Sequence, residues 1–208
     1  MKTLIAIPCH DKIDAAFVRC LLALERSGEM AVQLLANSLV YVSRDQLCKH
    51  ALENDCDAVL FLDSDMTFAP DLFQKLKKAG EEENAEVVTA LAFRRRPPYT
   101  PCIWERIRIG EGDPIVEEFD GIPEGRVDID ACGMAGCLIS TKIIRKVFDR
   151  YGTCFSPLSK FGEDISFCIR AKQCGANIIC ETDAEMGHLS QLVIDRKAFE
   201  AYRREGEK

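Results

Sequence analysis

Apolar residues lie along the chain in short unbroken runs, separated by segments whose apolar positions recur every three or four residues. The unbroken runs predict buried strands, and the recurring positions predict helices. In chain order the strands are at residues 3–8, 31–36, 58–62 and 85–92, and the helices are at residues 13–26, 44–54 and 71–78. Such an alternation predicts an α/β fold with a mostly parallel, Rossmann-like sheet and helices on both faces. Ser43 is predicted to cap the second helix.

The pattern changes after residue 92. Three arginines at residues 94–96 and two prolines form a segment too polar to be buried, and this loop either is solvated or contacts a pyrophosphate or an acidic acceptor. Residues 102–131 contain short alternating stretches separated by glycine and proline, which predict a small β-hairpin region. The remaining predicted elements are helices at 142–149, 165–174 and 195–204 and a strand at 177–180, which is followed by a polar loop containing His188.

Composition narrows the class of protein. The 208 residues are 47% hydrophobic and 29% charged, and no linker divides them, so one domain over residues 1–208 is expected. The net charge of −7 argues against nucleic acid as the main partner. Eleven cysteines without a Cys-x-x-Cys pair, with three histidines, fit neither a disulfide framework nor a zinc site. No run is long enough for a transmembrane segment or a signal peptide, and a cytoplasmic location is expected.

The strongest chemical signal is the pair of acids that follows the strand Ala58–Leu62. If the strand geometry continues, Asp63 and Asp65 point to the same side of the sheet, at the carboxyl end where open α/β sheets bind ligands. Hard carboxylate oxygens suit Mg²⁺ or Mn²⁺. The alternative is that Asp65 or Thr67 caps a helix.

Other residues have both a structural and a functional interpretation. Glu163 and Asp164 complement the dipole at the start of a helix, or they take part in catalysis. Trp104 either packs in the core or stacks on a sugar ring. His188 is either an exposed loop histidine or a metal ligand.

The order of these features resembles a glycosyltransferase of the GT-A fold, and most closely the family 2-like bacterial and phage branch. The resemblance covers about residues 3–190 and rests on four features in sequence: Asp63-Ser64-Asp65, Gly133-Met134-Ala135-Gly136, Gly162-Glu163-Asp164 and His188. It implies a nucleotide-binding half at about 1–92, an acceptor and catalytic half at about 93–190, and a C-terminal helix at 191–208.

The resemblance also implies roles for particular residues. A Mn²⁺ or Mg²⁺ ion would bridge the phosphates of a nucleoside-diphosphate sugar, with Asp65 as its direct ligand, Asp63 on the ribose or on a metal-bound water, and His188 completing the shell. Asp164 would be the general base for an acceptor hydroxyl, and Glu163 would bind the acceptor.

The remaining implied contacts fall on the donor and acceptor sides. Pro8, Arg44 and Ser64 would lie along the nucleotide. Trp104 and Gly136 would lie on the acceptor side, and transfer would invert the anomeric carbon. The acidic positions that usually read uracil are not identifiable, which leaves the base open.

Two other functions fit parts of the pattern. A haloacid-dehalogenase-like phosphatase would use Asp63 as nucleophile and Asp65 as acid/base with Mg²⁺, although that family usually places its nucleophile on the first strand. A non-catalytic module that binds a nucleotide-sugar is the third possibility.

Overall fold

The computed structural model describes residues 1–109 and 115–190, which form a mixed α/β domain. The described helices are α1 (Ala15–Ala23), α2 (Val40–Glu53), α3 (Leu72–Glu83), α4 (Thr141–Tyr151) and α5 (Glu163–Gln173). The described strands are β1 (Lys2–Pro8), β2 (Glu29–Leu35), β3 (Ala58–Leu62), β4 (Met66–Phe68), β5 (Val87–Leu91), β6 (Ile103–Trp104), β7 (Arg106–Arg108), β8 (Ile115–Glu117), β9 (Arg126–Asp128), β10 (Ala131–Cys132), β11 (Gly136–Ser140) and β12 (Ile178–His188).

The central sheet has the order β2-β1-β3-β11-β5-β12-β4, and β9 also pairs with β12. Strand β1 runs parallel to β2 and β3, and β12 runs parallel to β5. The predicted mostly parallel sheet is therefore confirmed. The sequence pattern did not reveal that β11 enters antiparallel between β3 and β5, because a buried apolar run carries no sign of its direction.

The sheet separates two hydrophobic cores, and β3 contributes to both. Val59 and Phe61 face the core covered by α2, α4 and α5, whereas Leu60 and Leu62 face the core covered by α1 and α3. All five residues of β3 are buried, as expected for a strand covered on both faces. The predicted helices on both faces are confirmed.

Helix α2 begins one turn earlier than the sequence predicted. The backbone N–H of Ser43 already donates to the carbonyl of Leu39 at 3.0 Å, so Ser43 lies inside the helix and the prediction that it caps the helix is wrong. Leu39 takes the N-cap position, and its apolar side chain makes no capping hydrogen bond. A helix start of this kind leaves no signature in the sequence.

Strand β12 is longer than predicted, and this changes the setting of His188. The polar stretch after Cys180 continues as a strand because its end pairs antiparallel with β4, with His188 opposite Met66. His188 is thus the last residue of a strand and not part of a loop. The idea that Asp65 or Thr67 caps a helix is also wrong, since the N-cap of α3 is Asp71.

Two further points depend on which residues the structure describes. The helix expected at 195–204 lies outside the described residues. Within residues 1–109 and 115–190, no helix is both long and apolar enough to cross a membrane.

Candidate functional site

A cavity of about 850 Å³ opens at the carboxyl ends of β1 and β3. Its walls come from the loop after β1, the turn that leads into α2, and the turn after β3. Of the residues predicted to bind the nucleotide, Pro8, Asp63, Ser64 and Asp65 line this cavity. Its size lies within the usual range for small-molecule and cofactor sites.

The two acids of the Asp63-Ser64-Asp65 turn do not continue the strand. Strand β3 ends at Leu62, and the N–H of Met66 donates to the carbonyl of Asp63 at 3.2 Å, which closes a tight turn. Because strand geometry stops there, the expectation that both carboxylates share one side of the sheet does not hold. Each carboxylate has its own partners.

Asp63 belongs to a closed ionic group, which we call the Arg44 cluster (Arg44, Asp63 and Glu163). Arg44 Nη2 donates to both carboxylate oxygens of Asp63, at 2.9 and 3.1 Å, and Nη1 donates to Glu163 Oε1 at 2.5 Å. The guanidinium is almost fully buried and lies 6.0 Å from the ring centroids of Phe61 and Phe155. Arg44 therefore fastens the end of β3 to the start of α5.

The Arg44 cluster places two carboxylates against one guanidinium. Burial alone would lower the pKa of Arg44, but the carboxylates of Asp63 and Glu163 outweigh burial and raise the pKa. A carboxylate whose two oxygens both accept a bond from a guanidinium is a weaker nucleophile, because the guanidinium stabilises its negative charge. This geometry does not favour Asp63 as the nucleophile of a phosphatase.

Asp65 belongs to a second, more open group, the His188 cluster (Asp65, His188 and Arg95). His188 Nε2 lies 3.3 Å from Asp65 Oδ2, and Arg95 Nη1 lies 2.9 Å from the same oxygen. The other ring nitrogen, Nδ1, donates to the carbonyl oxygen of Phe93 at 2.9 Å. This bond fixes the ring with Nε2 facing Asp65, so the protonated ring donates to the carboxylate and the neutral ring carries its lone pair on Nε2.

The pKa values of the His188 cluster shift in opposite directions. The hydrogen bond with His188 is the main reason that the pKa of Asp65 is lowered. The same bond raises the pKa of His188, and burial of the ring opposes it. Both shifts favour a negative Asp65 beside a positive partner.

The His188 cluster offers one carboxylate and one imidazole nitrogen, a pair that suits Mn²⁺ better than Mg²⁺. One carboxylate and one imidazole nitrogen are ligands that Mn²⁺ accepts, and Mg²⁺ or Mn²⁺ commonly takes its other ligands from water and substrate phosphates. A backbone carbonyl that holds the second nitrogen is the usual support of a metal-binding histidine. No group of three or more His, Cys, Asp or Glu residues in the described part of the chain could hold a metal ion by itself. Asp63, which was predicted to join the metal, is engaged with Arg44.

Asp164 lies beside the Arg44 cluster without joining it. Its Oδ1 accepts the N–H of Ile165 at 2.7 Å in the first turn of α5. Burial raises the pKa of Asp164, although the bond from Ile165 favours the ionised form. Neighbouring Glu163 raises the pKa further. A carboxylate with a raised pKa is better suited than an ordinary one to accept a proton near neutral pH.

Asp45 is a site-supporting residue that the sequence analysis missed. Its Oδ1 accepts the N–H groups of Cys154 and Phe155, both at 2.9 Å, and Oδ2 accepts the hydroxyl of Thr153 at 2.5 Å. These bonds tie the loop before α5 to α2. Only the position of Asp45 next to Arg44 could have suggested this role, because its partners are more than a hundred residues away.

Of the three residues expected to contact the acceptor, Glu163 is bonded to Arg44, and Trp104 and Gly136 have structural surroundings. Trp104 is buried, and the Arg94 guanidinium lies 5.9 Å from the centre of its ring. Gly136 is buried in β11, where a Cβ would clash with Met186 Sδ. Close packing alone therefore accounts for glycine at position 136.

Of the comparisons with known proteins, only the one with solved structures finds a match, and it bears on the fold alone. No protein-family model matches the chain, and no curated protein matches it. Among solved structures, the chain is similar to one titled "Crystal Structure of A197 from STIV", with 18% sequence identity and a TM-score of 0.66. The match covers 94% of this chain and 97% of that chain. At this identity the likeness shows a shared fold alone.

Proposed function

We propose that the protein is a metal-dependent glycosyltransferase that moves a sugar from a nucleoside-diphosphate sugar to an acceptor hydroxyl. The observation that carries the proposal is the Asp65–His188 pair, of which Asp65 lines the large cavity. His188 is oriented by the Phe93 carbonyl, so its free nitrogen and the Asp65 carboxylate converge at the carboxyl end of β3. A cavity of about 850 Å³ beside this pair has room for a nucleotide.

Asp65 and His188 would hold Mn²⁺ or Mg²⁺. The bound ion would stabilise the negative charge that develops on the departing diphosphate. Arg95 reaches the same carboxylate and lines the same cavity, so its positive charge lies where phosphates would bind. Ser64 and Pro8 would form the floor beneath the nucleotide.

Asp164 would accept the proton of the acceptor hydroxyl. The acceptor oxygen would bond to the anomeric carbon as the bond to the diphosphate breaks, and attack opposite the diphosphate would invert that carbon. The hydroxyl proton would pass to the carboxylate of Asp164. Oδ1 of Asp164 is held by the Ile165 N–H, so Oδ2 is the oxygen in position to take the proton. Glu163 is committed to Arg44 and would position the start of α5.

Calorimetry with UDP and GDP tests the metal site directly. Wild-type protein should bind one of these nucleotides at least tenfold more tightly with Mn²⁺ than with a chelator, and Asp65→Ala should remove that difference. Asp11→Ala is the matched control, because Asp11 lines the same cavity outside the His188 cluster. Equal affinity with Mn²⁺ and with chelator in the wild-type protein would contradict the proposal.

Product analysis tests the reaction type. The proposal requires nucleoside diphosphate to be released from a sugar donor when an acceptor is present. Release of phosphate from monoesters would instead identify a phosphatase, and binding without release of either product would identify a non-catalytic module.

A further inference from the structure

A second cavity, which we call the side cavity, has a volume of about 260 Å³ and shares a loop with the large one. This arginine loop, residues 93–101, is closed by a backbone bond from the Arg94 N–H to the Thr100 carbonyl at 3.0 Å. Arg95 lines the large cavity, whereas other residues of the loop line the side cavity. Its walls include Phe93, Tyr99, Pro101, Ile103, Phe119 and Ile122.

Phe93 connects the side cavity to the proposed reaction centre. It lines the side cavity, and its carbonyl oxygen holds His188 at 2.9 Å. A molecule in the side cavity would therefore lie next to the residues that orient the metal-binding pair. An acceptor must reach the anomeric carbon of a donor held in the large cavity, and the arginine loop borders both cavities.

Tyr99 stands at the side cavity in a costly backbone conformation. Its φ is +57°, in the left-handed region that bulky residues rarely adopt, and its residue surface is 58% exposed. An exposed aromatic ring contributes little to folding, so folding alone does not account for a bulky residue in this conformation. Backbone strain of this kind collects at ligand-binding positions.

Two polar groups of the side cavity have unused hydrogen-bonding capacity. Thr100 Oγ1 is buried and has no hydrogen-bond partner within the described residues. Glu118 Oε1 accepts a bond from Arg94 Nη2 at 2.6 Å, which leaves Oε2 available to a ligand. A buried hydroxyl without a partner loses free energy relative to one that is hydrogen-bonded.

We propose that the side cavity binds a sugar ring, and hence that the acceptor is a saccharide; this inference rests on the proposed function. Aromatic side chains pack against the C–H faces of a sugar, while Thr100 and Glu118 bond its hydroxyls. The volume admits a single ring. A purely apolar acceptor would leave the Thr100 hydroxyl buried without a partner.

Fluorescence titration tests sugar binding without donor or metal. The chain has one tryptophan, Trp104, which follows the cavity residue Ile103 and lies beneath Arg94, the partner of Glu118. The probes are the methyl glycosides of glucose, galactose, mannose, rhamnose and N-acetylglucosamine, together with their disaccharides. Phenol and octanol are the apolar probes. At least one sugar should give a saturable change in emission, and the apolar probes should not.

Two pairs of variants locate the binding. Thr100→Val should weaken sugar binding roughly three- to tenfold, the worth of one hydrogen bond, while stability is unchanged or raised. Thr3→Val, which removes another buried hydroxyl without a partner in the described chain, should leave sugar binding unchanged. Tyr99→Gly removes the ring and relieves the strain, and about a tenfold loss of sugar affinity is expected. Asn84→Gly, at another left-handed position, is its control.

The outcomes separate this inference from the proposed function. Saturable sugar binding that falls in Thr100→Val and Tyr99→Gly but not in their controls supports the side cavity, whatever the nucleotide titrations show. No sugar binding, or binding of phenol or octanol in preference, overturns the saccharide acceptor. Nucleotide binding that depends on Mn²⁺ would then still support the large cavity as the donor site.

Discussion

The two acids in the turn after β3 stand two residues apart and have different partners. Asp63 lines the large cavity, but both its carboxylate oxygens accept bonds from a buried arginine that also binds Glu163. Asp65 is about one-third exposed, and of its two partners, His188 and Arg95, the arginine also lines the large cavity. The first group fixes the shape of the site, and the second offers charge and a nitrogen lone pair to a ligand. Sequence motifs that pair two acids therefore need not assign them the same task.

The largest expected effect is on kcat and concerns Asp164, which lies beside the Arg44 cluster but does not belong to it. Asp164→Asn should lower kcat by about 10²–10⁴-fold, the usual worth of general-base help, with nucleotide affinity retained. Asn can still accept the Ile165 N–H, so the melting temperature should change little. Transfer kinetics and thermal unfolding of the same samples check both statements.

Glu163→Gln is the contrasting variant on the same helical turn. It weakens a bond to buried Arg44, so its main effect should be on stability. An Asp164→Asn enzyme with wild-type turnover would remove the base from the mechanism.

The pH dependence of transfer gives a second check on Asp164. Asp164 accepts a proton only when it is ionised, so kcat/KM should fall as the pH drops through its pKa. Burial raises this pKa, so the acidic limb of the pH profile should lie at higher pH than an ordinary aspartate would give. In Asp164→Asn the limb should disappear. The same raised pKa means that the native state binds this proton more tightly than the unfolded state does. Its contribution to stability should thus decrease as pH rises from the unfolded to the folded pKa.

Removing the cation of the Arg44 cluster should strongly lower the free energy of unfolding. Arg44→Met leaves Asp63 and Glu163 partly buried without their counter-charge, and a loss of about 3–5 kcal/mol in the free energy of unfolding is expected. Arg95→Met, in the open cluster, should cost less than about 1 kcal/mol. Urea unfolding of both variants measures the difference. Equal losses would show that the two clusters are energetically alike.

His188→Ala should separate binding from folding. Affinity for Mn²⁺ in the presence of nucleotide should fall by about tenfold or more, because a ligand is lost. The free energy of unfolding should change by about 1 kcal/mol or less, since the pair with Asp65 is partly exposed. His50→Ala on exposed α2 surface is the matched control. Metal affinity that is the same in His188→Ala and His50→Ala would exclude His188 from the metal site.

The smallest effect is expected from Arg95 on metal binding alone. The guanidinium competes with a cation for Asp65, so Arg95→Met should tighten Mn²⁺ binding about two- to fivefold when no nucleotide is present. Arg96→Met, on the neighbouring exposed residue, should not change it. Weaker Mn²⁺ binding in Arg95→Met would show that Arg95 assists the ion.

Much of the architecture could be predicted from local patterns in the sequence. The apolar run of β3, the strand–helix alternation up to β5, and the helix after Gly162 could all be predicted because each depends on neighbouring residues. The partners of Arg44 could not, since they lie 19 and 119 residues away. For the same reason the pairing of His188 with Asp65 entered only through the family resemblance. The polar end of β12 resembles a loop because its strand state depends on pairing with β4.

Strand β12 also determines how far the site tolerates insertion and deletion. Its register against β5 slips between Glu181 and Glu185, and residues 182–184 form the irregular segment before the strand reaches β4. Side chains alternate between the two faces of a strand. If one residue were removed from that segment, Leu189 would take the position of His188, and His188 would move to the preceding position on the opposite face. Removing two would restore the alternation but shift the pairing with Met66. The distance in sequence between Glu181 and His188 is therefore as fixed as the identity of the histidine, and length variation in this protein's relatives should avoid it.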